Sequence, residues 1–107
     1  KGTSFTATAT GSPNTGKYYS KGNEWRIYQT ETPSVKIEAK TGYMIVSVKI
    51  TYNVKNTGVL TLNSKTIATG TVVDVNTTSI TFNVGNTGTA TNGQVKITAI
   101  EVVYVAA

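Results

Sequence analysis

Tyr18, Tyr19, Trp25, Arg26, Tyr28 and Gln29 fall within twelve consecutive positions of this chain. A sugar ring presents an apolar face of C–H groups beside a rim of hydroxyls. A surface that holds one therefore needs exposed aromatic faces next to guanidinium or amide hydrogen-bonders, and this stretch supplies both. Side chains alternate between faces along a strand. If Ile27 faces a core, Trp25 shares its side as an ordinary core anchor, and Arg26 and Tyr28 project from the other face. Tyr18 and Tyr19 are adjacent, so an extended segment turns one of them outward, either as a sugar platform or as a lid over one end of the fold. Tyr43 follows Gly42 at a turn and joins the set. The candidate carbohydrate-binding residues are thus Tyr18, Tyr19, Arg26, Tyr28, Gln29 and Tyr43.

Catalytic chemistry finds much less support. The chain has no histidine and no cysteine, which removes the usual general base, the commonest metal ligand and all thiol chemistry. Hydrolysis by paired acids needs two carboxylates in one cleft. The five acids are Glu24, Glu31, Glu38, Asp74 and Glu101. Glu38, Asp74 and Glu101 fall on expected solvent faces of different strands, and only Glu24 and Glu31, flanking the Trp25 strand, make a pair to test. All five read as exposed. No enzyme activity, cofactor or metal site is expected.

The elements that position these residues are strands throughout. Residues 45 to 52 read Ile-Val-Ser-Val-Lys-Ile-Thr-Tyr and residues 97 to 104 read Ile-Thr-Ala-Ile-Glu-Val-Val-Tyr, so the chain writes nearly the same strand twice. The matching positions (Ile45 with Ile97, Val48 with Ile100, Ile50 with Val102, Tyr52 with Tyr104) predict two equivalent core strands, Met44 to Lys55 and Val95 to Val105, with both tyrosines packed inward. In each the inward parity slips by one, near Ser47 and near Ala99, which predicts a β-bulge in both. Phe5, Ala7 and Ala9 alternate with threonines in an opening strand, closed by turn formers over residues 11 to 16. Residues 17 to 23 read as a loop and Trp25 to Gln29 as a short strand ended before Pro33. Val35, Ile37 and Ala39 then point inward between Lys36 and Glu38. Val59 to Asn63, Thr66 to Ala68 and Thr71 to Val75 read as a meander of short strands. Ile80, Phe82 and Val84 form another strand. The loop from Gly85 to Gly93 ends in Asn92-Gly93, the strongest tight-turn dipeptide here. Three Asn-Thr-Gly triplets, at 14–16, 56–58 and 86–88, read as turn chemistry, since Asn and Gly tolerate positive φ.

At 107 residues there is room for one domain with one core. Low charge, abundant Thr and Val and ten glycines mark a sheet protein rich in turns. Eight or nine short strands with a turn signal every eight to twelve residues fit an antiparallel two-sheet β-sandwich over residues 1–107, preferably a jelly roll.

Taken in order, Trp25-Arg26-Ile27-Tyr28, Gly42-Tyr43 and the strands opening Ile45-Val46-Ser47-Val48 and Ile97-Thr98-Ala99-Ile100 resemble the small accessory β-sandwich modules of large secreted proteins of gut and rumen bacteria. Those modules are in turn similar to galactose-binding-like jelly rolls and carbohydrate-binding modules. The resemblance runs over roughly Asn14 to Tyr104. It implies extracellular or cell-surface life beside neighbouring domains of a larger protein, with polysaccharide or another glycan as partner. Many such jelly rolls hold a structural calcium through clustered carboxylates, a trait that five scattered acids do not match.

The absence of cysteine, of a signal peptide and of any apolar run long enough to span a bilayer fits a mature secreted product or a domain cut from one, without membrane insertion. The net charge of +5 comes from nine lysines and one arginine. The lysines form no run, and a single arginine equips the chain poorly for reading phosphates or base edges, so nucleic acid is not an expected partner. That partner would need Lys36, Lys49 and Lys96 on one sheet face, diluted there by Glu38 and Glu101. The alternative to glycan binding is a structural or adhesive module, a stalk, spacer or fibre unit, that associates through a sheet edge such as the end of the last strand at Val105 to Ala107.

Overall fold

The structure, a computed structural model, describes residues 5–10, 17–19, 24–30 and 33–107. The expected turn cluster at 11–16 with its Asn14 triplet, residues 20–23 and Glu31 lie outside them. The described residues form ten strands and no helix: β1 Phe5–Thr10, β2 Lys17–Tyr19, β3 Glu24–Tyr28, β4 Ser34–Ala39, β5 Tyr43–Lys55, β6 Gly58–Leu62, β7 Lys65–Thr66, β8 Val72–Thr77, β9 Ser79–Asn86 and β10 Gln94–Ala106. They make two antiparallel five-stranded sheets, ordered β1-β4-β9-β6-β7 and β2-β3-β10-β5-β8. The all-β, two-sheet antiparallel architecture read from the alternation is therefore the one observed.

Alternation places the core between the sheets. Ile27, Val35, Ile37, Ile45, Val48, Ile50, Tyr52, Leu60, Phe82, Val84, Val95 and Ile97 form one buried cluster drawn from both. Each aliphatic or aromatic side chain fully withdrawn from water contributes about 1.5–3 kcal/mol. Trp25 is half-buried and packs against this cluster, while Lys36 and Glu38 are exposed between the buried Val35 and Ile37.

The two similar strands, β5 and β10, pair with each other along nearly their whole length. Ile45 stands opposite Tyr104, Val48 opposite Val102, Ile50 opposite Ile100 and Tyr52 opposite Ile97. Because the repeat equates Ile45 with Ile97 and Tyr52 with Tyr104, the ribbon has a local two-fold axis between the Val48 and Ile50 rows. Both expected bulges are present and obey this symmetry: the register skips Thr98 just after Ile97 and Val46 just after Ile45.

Several expectations are corrected. Lys17–Tyr19 is a strand on the edge of its sheet, not loop. The run from β6 to β8 is not a meander: β6 and β7 form a hairpin, but β8 crosses to the other sheet and pairs with β5. The tight hairpin turn falls at Asn63-Ser64, with φ of 52° and 67°, the doubly positive geometry whose twist suits a two-residue hairpin. At Asn92-Gly93 neither residue has positive φ, and the strands on either side, β9 and β10, lie in different sheets. Gly93 serves close approach instead: a Cβ there would stand 2.6 Å from Gly58 Cα, and one on Gly58 would stand 2.5 Å from Gln94 N. Tyr104 keeps inward parity opposite the fully buried Ile45 yet is 44% exposed, because β3 pairs with β10 only as far as Ile97 and among the described strands none flanks β10 there.

Candidate functional site

Strand β3 carries the expected outward residues. With Ile27 fully buried and Trp25 turned to the core, Glu24, Arg26 and Tyr28 occupy the outer face of the second sheet at every second position. The antiparallel register extends this stripe across the neighbouring strands. Arg26 stands opposite Lys96 of β10, which stands opposite Asn53 of β5, and Tyr28 stands opposite Gln94, which stands opposite Lys55. Two polar rows thus cross three strands, with about 4.8 Å between strands and about 7 Å between rows. On the far side of β3, β2 sets Lys17 opposite Arg26, Tyr18 opposite Trp25 and Tyr19 opposite Glu24.

Electrostatics within the stripe hold Arg26 in place. Its Nε donates to Glu24 Oε2 at 2.7 Å, and Lys96 Nζ approaches the same oxygen at 3.9 Å. The Glu24 side chain is only 13% exposed, which corrects the expectation that all five acids are exposed. A hydrogen bond to Tyr28, and then the one to Glu24, push the Arg26 pKa still further above its high ordinary value. This is a permanent cation in a fixed planar orientation. One carboxylate therefore serves two cations.

Gln29, just past the strand, has a different setting. Its Oε1 accepts from Gly93 N at 2.8 Å and Asn86 Nδ2 at 2.9 Å, and its backbone N donates to Gly93 O at 2.9 Å. Asn86 in turn donates to Asn56 O at 3.0 Å and accepts from Thr57 Oγ1 at 2.7 Å and Gly88 N at 2.8 Å, so all four of its hydrogen-bonding positions are used. Two of the Asn-Thr-Gly triplets meet in this polar knot. Asn56 and Thr57 adopt positive φ, 55° and 56°, as turn chemistry requires. The knot fixes the loop that closes the Tyr28 end of the outer face.

Tyr43 stands apart from these residues. It opens β5, twelve positions from Lys55, or ~40 Å along the strand, and its ring meets Tyr104 edge-on with centroids 5.6 Å apart. The structure thus brings Arg26 and Tyr28 together, sets Gln29 behind them as a brace, aligns Tyr18 and Tyr19 with β3 by register alone, and leaves Tyr43 at the opposite end. Gln94, Lys96, Asn53 and Lys55 join the surface without having been singled out in the sequence. Their outward parity was readable, but their adjacency to Arg26 and Tyr28 depends on sheet order.

The three lysines weighed for nucleic acid do not all share a face. Lys36 lies on the other sheet, 3.8 Å from Glu38, while Lys49 lies 3.5 Å from Glu101. Among the described residues there is no pocket and no group of three or more acids that could hold a metal. Compared with known protein families, curated proteins and solved structures, the chain matches none.

Proposed function

We propose that this domain is a non-catalytic carbohydrate-binding module that tethers a larger extracellular protein to a glycan, and that its fold is a jelly roll. The jelly-roll reading is supported by connectivity. Counting β3 to β10 as strands one to eight, the sheets run 1-8-3-6 and 2-7-4-5, the order produced by wrapping one long hairpin around a barrel as two Greek keys. Strands β1 and β2 then extend one edge of each sheet.

The observation that carries the binding reading is the outer face of β3, β10 and β5. Tyr28 stands beside Arg26, with Gln94, Lys96, Asn53 and Lys55 in register behind them. An aromatic ring flanked by planar and amide hydrogen-bonders meets both the apolar face and the hydroxyl rim of a sugar. A sheet face is open and elongated, which suits a stretch of polymer rather than a single enclosed ring. The test is retention on insoluble polysaccharides and a glycan array at physiological salt. Wild type is expected to bind a defined glycan, and Tyr28→Ala and Arg26→Ala to abolish binding while keeping the fold. Absence of retention on every glycan would refute this reading.

One observation favours the structural or adhesive alternative. Strand β3 pairs with β10 only as far as Ile97, so among the described strands none continues along that side of Ala99–Ala106. Val103, Tyr104 and Val105 are exposed there. A strand edge beside apolar side chains is a template for strand addition, and self-association in solution without glycan retention would favour this role.

A further inference from the structure

We infer that the glycan taken by the outer face of β3, β10 and β5 is an acidic one, a linear polysaccharide bearing carboxylate or sulfate groups, with Lys55, Lys96 and Arg26 receiving the anions and Tyr28 the adjoining ring. This rests on the carbohydrate-binding reading and names its substrate class.

The local charge balance selects an acidic partner. Arg26, Lys96 and Lys55 lie in the two adjacent polar rows, and Glu24 is the one acid among the described residues of that patch. With Lys17 opposite Arg26 by register, four lysine or arginine positions stand against one acid among the described residues at this end of the sheet. Elsewhere two outward lysines are each matched by an acid, while Lys65 stands exposed on the short β7. Lys49 pairs with Glu101 further along the same ribbon, and Lys36 pairs with Glu38 on the other sheet, whose outer face otherwise presents residues such as Thr81 and Asn83. Among the described residues, an excess of positive charge thus stands beside Tyr28 and the amide residues, and a surface of one sign recruits the opposite one.

Glu24 adds a geometric reason. Half-buried beside Arg26 and Lys96 and bonded to Arg26 Nε, it fixes the guanidinium plane. A planar fork held in position suits the two oxygens of a carboxylate or sulfate better than a lone hydroxyl. The strand spacing sets Arg26 and Lys96 about 5 Å apart at the backbone, with Lys55 one row further on, about 8 Å from Lys96. Such spacing meets successive acidic groups of a chain lying across the strands. A nucleic acid would use the same charges, but a short patch with one arginine, and the neutral Lys49–Glu101 pair further along the same ribbon, favours a glycan.

The 107-residue chain is titrated with polygalacturonate oligomers, the same oligomers fully methyl-esterified, a neutral β-glucan and single-stranded DNA of matched charge. Polygalacturonate is expected to bind at least ~10-fold more tightly than its ester, with a salt dependence the ester lacks. Lys55→Gln, at an exposed strand end, is expected to weaken it about 3- to 5-fold, Lys96→Gln comparably, and Lys36→Gln on the opposite sheet not at all. Equal binding of acid and ester, indifferent to Lys55→Gln, would overturn the acidic assignment while leaving glycan binding intact. No binding of any polysaccharide would overturn both. Tighter binding of the DNA than of polygalacturonate would overturn the glycan assignment in favour of nucleic acid.

Discussion

Residues 45 to 52 and 97 to 104 are nearly the same strand in sequence, pair with each other about a local two-fold axis, and carry their bulges at matching positions. Their closing tyrosines nonetheless meet opposite fates. Tyr52 is 5% exposed, its hydroxyl donating to Ile67 O and accepting from Leu60 N, and its backbone N–H donating to Thr69 Oγ1 at 2.7 Å. Tyr104 is 44% exposed and leans on Tyr43. The difference lies in what flanks each ring. At the Tyr52 end the β6–β7 hairpin and the segment after it fold over the ring. At the Tyr104 end Ile45 on β5 is buried, but β3 stops pairing with β10 at Ile97 and among the described strands none flanks this side of Tyr104. Parity decides which way a side chain points, but burial also needs neighbours along both sides of its strand.

The sharpest way to break this comparison is to truncate both rings. Tyr52→Ala removes a buried aromatic and the hydroxyl that ties β6 to the segment after β7. It is expected to cost about 3–5 kcal/mol. Tyr104→Ala, at a half-open position, is expected to cost under about 1 kcal/mol. Urea unfolding of the two variants measures the difference, and equal losses would mean that the second tyrosine is covered after all.

A finer cut isolates the hydroxyl. Tyr52→Phe keeps the ring but leaves Leu60 N–H and Ile67 C=O without this partner, at an expected cost of about 1–3 kcal/mol. Burial raises the Tyr52 pKa above its ordinary 10.0, partly offset by the hydrogen bond from Leu60. The unfolded chain therefore releases this proton first as pH rises. The contribution is fully present below pH 10 and is lost as pH climbs through the higher value of the folded state. Wild type is expected to lose more stability between pH 8 and pH 11 than Tyr52→Phe does, and parallel pH profiles would show that Tyr52 titrates alike in both states.

The same contrast marks what could be read from the sequence. Local alternation was enough for the strands, for Ile27 and Phe82 in the core, for Arg26 and Tyr28 on the outer face and for both bulges, because each depends on residues a few positions apart. Sheet order was not readable. Lys96 and Gln94 join Arg26 and Tyr28 only because β10 lies beside β3, seventy positions away in the chain from Arg26 to Lys96. Glu24 read as solvated, since nothing local announces two cations above it. Turn chemistry failed where one residue type serves two ends. Asn92-Gly93 has the composition of a hairpin turn, but its glycine is there to let two backbones touch, while Asn63-Ser64 makes the turn itself.

The Tyr104 end yields the smallest and most specific test. If the Tyr43–Tyr104 contact merely reflects two rings left over at an open end, truncating them has independent effects. If it is the substitute for the missing cover, the rings are coupled. An edge-to-face pair contributes about 0.5–1.5 kcal/mol beyond area, and exposure puts this one at the lower limit. A double-mutant cycle of Tyr43→Ala and Tyr104→Ala is therefore expected to give a coupling of about 0.5 kcal/mol, against none for Tyr43→Ala combined with Tyr52→Phe at the far end of the same strand. A null coupling for the first pair would mean that the open end is held by the β5–β10 ladder alone, and that Tyr104 keeps its inward parity with nothing to pack against.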